Sequence, residues 1–219
     1  MYIKKIKGLK YPDDYFIKFF FKHKLHLIDN LNVLELGSSN GNNLMLCYEY
    51  GHKVFGVDTD KLLTNYANFN FNLLNETNGF EFYNLDMRSF CKKYKDIGAD
   101  ILVLDNCIYY ISKHEFNSLL ANLKNNNLVK PGALVFLRFR NIDDYRNGNG
   151  KKIGKNSYVL DTFDEKGVFC TFYKVSEIVD IFTKELNLRD FSVFNINYQN
   201  LENNKIVKNS DVVVWGVVN

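Results

Sequence analysis

The sequence predicts an α/β fold: one three-layer domain over residues 1–219, with a mostly parallel sheet of about seven strands and an antiparallel last strand. Three observations predict it. Short apolar runs alternate with longer segments of helical spacing, the pattern of βαβ units. Four of those runs lead in order to a carboxylate, at Glu35, Asp58, Asp86 and Asp105. The last two runs have no helix between them, so the final strand is expected to run against the others.

The elements follow in order. Within residues 1–30, expected to form an N-terminal helical cap, Y-F-I-K-F-F-F-K-H-K-L is apolar but broken by lysines, which predicts an amphipathic helix. Asn32–Leu36 reads as the first strand, and a Gly/Ser/Asn-rich loop then leads to a helix over Asn42–Tyr50. Lys53–Val57 is the second strand, with a helix over Lys61–Leu74. Phe80–Asn84 is the third, with a short helix at Arg88–Tyr94. Asp100–Leu104 is the fourth, with a helix over His114–Asn125. After a Lys130-Pro131-Gly132 turn comes Ala133–Phe139. Residues 141–170 read as a loop insertion at the substrate side. Thr171–Leu186 is the last helix, and strands near Asp190–Ile196 and Asp211–Val218 close the chain.

Composition narrows the function classes. A hydrophobic share of 46% is enough for a buried core, and a net charge of +3 is too small to imply a nucleic acid or a membrane surface. Cys47, Cys91, Cys107 and Cys170 lie far apart with no metal-ligand spacing, so buried, reduced thiols and a cytoplasmic location are expected. The first residues hold no apolar signal segment, and no 18-residue apolar run occurs. Monomer and homodimer both stay open.

Ligands of open α/β sheets sit beyond the carboxyl ends of the strands, which directs attention to V-L-E-L-G-S-S-N-G-N-N, residues 33–43. A dinucleotide fingerprint, G-x-G-x-x-G counted from Gly37, fails at Ser39 and Asn42. A phosphate loop needs Gly-Lys where Asn42 and Asn43 stand. The remaining pattern, an acidic residue two places before the first of two glycines, repels a pyrophosphate and suits a ligand that is cationic at that end.

On these residues the chain resembles the class I S-adenosylmethionine-dependent methyltransferases, which are Rossmann-like. E-L-G-S-S-N-G matches their glycine loop, V-F-G-V-D-T-D the second-strand motif, N-L-D-M the third, V-L-D-N the fourth and L-V-K-P-G-A-L-V-F the approach to strand five. The resemblance covers about residues 30–140, with Ser39 in place of the middle glycine. It implies S-adenosylmethionine as cofactor, S-adenosylhomocysteine as product and no metal. It also implies a set of cofactor residues. Gly37, Ser38, Ser39, Asn40 and Gly41 form the loop, and Glu35 faces the methionyl ammonium. Asp58 accepts the ribose hydroxyls, and Asp86 with the Met87 backbone meets the adenine. Asp105 and Asn106 lie near the amine and sulfonium, and Tyr11 with Pro12 folds over the cofactor. Each has an ordinary structural alternative: turn glycines, and helix caps at Asp58 and Asp86.

Tyr109, Tyr110 and His114 are the candidates to border the reaction, the tyrosines as walls more readily than as bases. Asp105-Asn106-Cys107-Ile108 lacks the Pro-Pro-aromatic continuation of DNA amino-methyltransferases, which disfavours that substrate. Three of the chain's five arginines, Arg138, Arg140 and Arg146, fall in one window with Lys151, Lys152 and Lys155, giving residues 138–155 a net +4. Arginine suits bidentate recognition of phosphate or carboxylate. The expected acceptor is therefore a small anionic molecule, O-methylated, bound by Arg138, Arg140, Arg146, Lys151 and Tyr158; a sugar, nucleotide-linked or phosphoramidate polysaccharide precursor is one such class. A solvated basic loop, a protein or RNA acceptor, and a non-catalytic cofactor-binding module remain open alternatives.

Overall fold

The computed structural model describes residues 2–74, 79–202 and 204–219. Seven strands form the main sheet: β1 (Asn32–Leu36), β2 (Lys53–Asp58), β3 (Phe80–Asn84), β4 (Ala99–Asp105), β5 (Val129–Arg140), β9 (Arg189–Glu202) and β10 (Lys205–Val217). Their order is β3-β2-β1-β4-β5-β10-β9, with β10 antiparallel to both its neighbours. The five strands from β3 to β5 are mutually parallel, as the alternating pattern predicts.

Successive residues of the central strands point to opposite faces, and both faces are buried. Leu34, Leu102, Leu104 and Val135 enter one core, and Val33, Ile101, Val103 and Phe136 the other. This is why these strands read as continuous apolar runs instead of alternating ones. Helices α4 (Met87–Lys93), α5 (Lys113–Asn125) and α6 (Val175–Leu186) cover the first face; α2 (Asn42–Glu49), α3 (Lys61–Asn72) and α1 (Asp14–Lys22) cover the second. Among the described residues no helix is long and apolar enough to cross a membrane. All four cysteines are free and buried.

Helix α1 does more than cap one end. Its phenylalanines at i, i+3 and i+4, Phe16, Phe19 and Phe20, are fully buried, with Phe16 edge-on to Phe136 at 5.3 Å and Phe19 6.0 Å from Trp215. Asp13 starts the helix by accepting from the backbone N–H groups of Tyr15 and Phe16.

Two local expectations change. Lys130-Pro131-Gly132 is not a turn before β5 but an irregular start of it. Val129 pairs with Ala99, and pairing resumes at Leu134 opposite Ile101, so the intervening residues bulge out of the ladder. Residues 141–170 are not a plain loop. They carry β6 (Gly150–Gly154), β7 (Ser157–Leu160) and β8 (Phe169–Thr171), a small antiparallel sheet, and α6 starts only at Val175. Main-chain pairing and the buried Leu160 and Cys170 hold this sheet down, while β6 is exposed throughout.

Candidate functional site

The strand order reverses between β1 and β4, and the loops leaving these strands diverge there. A cleft of about 360 Å³ opens at this edge, lined among others by Gly37, Asp58, Asp86, Met87, Asn106 and Tyr110. Four strand ends chosen from sequence thus converge on one cavity.

The glycine loop is shaped by close packing. Gly37 has φ +77°, and a Cβ there would sit 2.5 Å from Cβ of Cys107; Gly41, at φ +78°, would meet the rings of Phe71 and Phe82 at 2.7 and 2.9 Å. Gly56 in β2 has the same role and was not singled out from sequence: its Cβ would lie 2.4 Å from Phe82 and 2.7 Å from Ser38 Oγ. Ser38 is buried, with no partner for Oγ among the described residues. Ser39, in the left-handed region at φ +49°, donates its N–H to Asp58 Oδ2 at 2.8 Å.

Asp58 does not cap a helix; Asp60 does, accepting from Leu62 and Leu63. Asp58 takes one backbone N–H on each oxygen, from Ser39 and from Asp60, and each oxygen keeps acceptor capacity for a hydroxyl. Asp86 is the N-cap of α4 and is also paired with Arg88, whose hydrogen bonds hold its carboxyl below the usual range. Cap and cleft wall are one residue here, and Oδ2, which takes a single Arg88 bond, is the oxygen open to a ligand amine. Arg88 bridges on to Glu115.

Behind the loop lies a buried acidic group. Asn43 gives one amide hydrogen to Glu35 Oε1 at 2.8 Å and the other to Asp105 Oδ2 at 3.0 Å, while its oxygen accepts the N–H of Asp13. Among the described residues, Glu35 Oε2 is buried without a partner. Burial, and then the repulsion of Asp105, drives Glu35 well above the usual carboxylate range; burial and Asp13 push Asp105 up to about 6. A buried carboxylate oxygen lacking a donor, beside a second carboxylate, fits a ligand that brings an ammonium.

The asparagines around the loop have a task that residue type alone did not reveal. Asn40, fully buried, accepts from Leu9 N–H and donates to the carbonyls of Lys7 and Leu9. Asn42 donates to Tyr11 O, and Asn70 of α3 exchanges hydrogen bonds with Lys7. Residues 7–13 are therefore a strap clasped to the loop. Asn40 spends its side chain on this strap and not on the cleft. Tyr11 rides on the strap, 68% exposed, and it is not among the residues lining the cleft.

Beside the cleft, and sharing Asn106 with it, lies a polar recess of about 320 Å³ that brings together Arg138, Arg140, Arg146, Tyr109 and Tyr198. The three arginines are paired. Arg138 binds Asp13 and Asp211, Arg140 binds Glu165, and Arg146 binds Asp144, Asp164 and Glu165. Four of these five carboxylates, Asp13, Asp164, Glu165 and Asp211, lie outside residues 138–155, so the net +4 along the chain hides the balance in space. Arg140 also stacks 4.3 Å over the Tyr109 ring.

The remaining candidates separate. Tyr109 is buried in the recess wall, and Tyr110 lines the cleft and donates its hydroxyl to Glu165. Burial raises the pKa of both phenols. His114 lies on α5 over a different groove, between α4 and α5. Lys151 is exposed on β6, and Tyr158 of β7 packs against Phe172; neither is among the residues lining the recess.

No protein-family model matches the chain, and no curated protein matches it. Solved structures do. A S-adenosylmethionine-dependent methyltransferase from Methanosarcina mazei superposes with a TM-score of 0.68 at 16% identity, covering 90% of this chain and 96% of its own. One from Archaeoglobus fulgidus gives 0.60 at 14%, covering 94% and 100%. The magnesium protoporphyrin IX methyltransferase of Synechocystis, solved with S-adenosylmethionine bound, gives 0.56 at 13%, covering 93% and 76%. Strand order, the cleft at the switch point and these superpositions agree: the chain has the fold of the class I S-adenosylmethionine-dependent methyltransferases.

Proposed function

We propose that the chain transfers a methyl group from S-adenosylmethionine to an oxygen of a small anionic acceptor seated in the arginine-lined recess. The observation that carries this reading is the meeting of four strand ends: Gly37, Asp58, Asp86 and Asn106 line the cleft, the Glu35–Asn43–Asp105 group lies behind it, and Asn106 is the wall shared with the recess. When bound, S-adenosylmethionine supplies an electrophilic methyl on a sulfonium. Asp58 orients the ribose through charge-assisted hydrogen bonds, and Asp86 with the first N–H of α4 orients the base. Glu35 and Asp105 neutralise the ammonium. The residues' main task is alignment, because an in-line displacement gains most from proximity and orientation.

Among the described residues lining the recess, the one carboxylate, Asp211, is tied to Arg138, and the others are mostly hydrogen-bond donors. Tyr109 and Tyr110 stay protonated at neutral pH because burial raises them, so they donate hydrogen bonds instead of taking a proton. An acceptor oxygen that is already ionised needs no base. Net charge does not recognise it, since the carboxylates around the recess outnumber the guanidiniums; a fitted guanidinium does.

The test is label transfer from methyl-labelled S-adenosylmethionine to a panel of small carboxylates and phosphate monoesters, run beside polypeptide and RNA. Transfer into the small-acid fraction supports the reading, and transfer to polymers alone contradicts it. Arg140→Lys, which keeps the charge and loses the bidentate fork, should raise the acceptor KM about tenfold or more with cofactor affinity unchanged.

A further inference from the structure

Arg138 and Arg146 each hold a carboxylate on a fixed part of the fold. Asp211 belongs to β10, and Asp144 is itself anchored by the N–H of Ser210. Arg140 differs: among the described residues, its carboxylate partner is Glu165 alone, from the turn 161–167 that joins β7 to β8. Glu165 is gripped from several sides. Arg140 donates Nη1 to Oε2 at 2.6 Å and Nη2 to Oε1 at 2.9 Å; Arg146 Nε lies 3.0 Å from Oε2, and the Tyr110 hydroxyl donates to Oε1 at 3.0 Å.

The donors sit on supported elements: Arg140 on β5, Arg146 pinned by Asp144, Tyr110 beside the cofactor cleft. The carboxylate they hold sits on a turn that is held mainly at one point. Asp164 is tied to Arg146 and to the Tyr145 hydroxyl and Thr162 is buried, while Phe163 is 58% exposed, the Lys166–Asp161 pair is exposed and Gly167 at φ +81° has open space beside it. The arrangement is a complete carboxylate-binding site whose occupant is tethered to a surface turn.

We propose that Glu165 is a stand-in for the acceptor's own oxyanion, and that the acceptor binds by displacing its side chain from Arg140, Arg146 and Tyr110 while Asp164 keeps the turn on Arg146. This rests on reading the recess as the acceptor site. It narrows the acceptor to a small molecule that carries a carboxylate or a phosphate monoester for the arginines and a second, already ionised oxygen sized to reach past Tyr110 to the cleft. The tethered carboxylate also makes the resting site selective, because a weak anion does not compete with it.

The experiment is calorimetric titration of malonate, and separately of inorganic phosphate, into protein saturated with S-adenosylhomocysteine. Glu165→Ala should bind at least one probe about tenfold or more tighter than wild type. Glu165→Ala combined with Arg140→Gln should lose that gain, and Lys166→Ala, on the same turn, should behave as wild type. Whichever probe tightens tells carboxylate from phosphate. Equal or absent probe binding in wild type and Glu165→Ala overturns the proposal. Should Glu165→Ala not fold, Glu165→Gln, which keeps the shape and removes the charge, must still show tighter probe binding, and no gain there overturns it as well. Failure of wild type to bind S-adenosylhomocysteine is a separate result and contradicts the methyltransferase reading instead.

Discussion

Asn43 divides the two hydrogens of one amide between Glu35 and Asp105, and this small arrangement sets how the cleft responds to pH. Asp105 rises from 3.8 to about 6 on folding, and Glu35 rises well above its ordinary value, so the folded protein binds protons that the unfolded chain releases. For the raised Asp105 the sign is that stability falls as pH rises from about 4 through 6, and the raised Glu35 acts in the same direction. A ligand ammonium favours the charged forms, so binding must expel a proton. Cofactor affinity should therefore climb with pH below about 6, by up to about tenfold per unit for one proton, and level off above the folded pKa values. Charged neighbours from the packed elements, Asp13, Asp58, Asp211 and Arg138, stay in place in this comparison. Calorimetry across pH 5–8 checks it: a flat profile contradicts the proton-linked pair, and Asp105→Asn should shrink the slope. The carboxylates were legible in the sequence because residue type and strand end coincide. Asn43 was not, because asparagine is common throughout the chain and only geometry distinguishes a bridging amide from a surface one.

At the scale of elements, the glycine loop depends on what is clasped to it. Asn40→Ala would leave main-chain groups of Lys7 and Leu9 without their partner, at a cost of about 1–3 kcal/mol. Chemical denaturation should show that loss, and limited proteolysis should cut within 7–13 faster; an unchanged digest contradicts the clasp. Gly56→Ala would force a Cβ into the Phe82 ring and Ser38, costing about 1–3 kcal/mol and disturbing the loop from below. Strands β1, β2 and β4 were readable because both their faces are apolar, and the edge strand β3 because Phe80, Phe82 and Tyr83 still pack on the core. The small sheet β6–β8 was not, since β6 is exposed and rich in glycine and lysine and offers no hydrophobic period. The arginines of the recess were found, but their partners were not: Asp13, Asp211 and Glu165 approach from three distant parts of the chain, and pairing of that kind leaves no local signal.

Across the whole molecule, the strap joins the two halves of the site. Asp13 caps α1, donates its N–H to Asn43 behind the glycine loop, and pairs its carboxylate with Arg138 in the recess. Docking of α1 is thus coupled to both cavities. Phe19 packs against Phe136 and against Trp215, the chain's single tryptophan. Phe19→Ala should cost about 3–5 kcal/mol and shift tryptophan emission to the red as water reaches the α1 face; unshifted emission at native stability contradicts this packing. The switch-point cleft itself is tested most directly at Asp58, which is free of any cap and retains one acceptor site on each oxygen. Titrating S-adenosylmethionine into wild type and Asp58→Ala by calorimetry should give saturable one-site binding, weakened about ten- to a hundredfold in the variant, the loss of charge-assisted hydrogen bonds worth about 1.5–3 kcal/mol. Equal affinity in the two proteins, or no binding to wild type, would contradict the account.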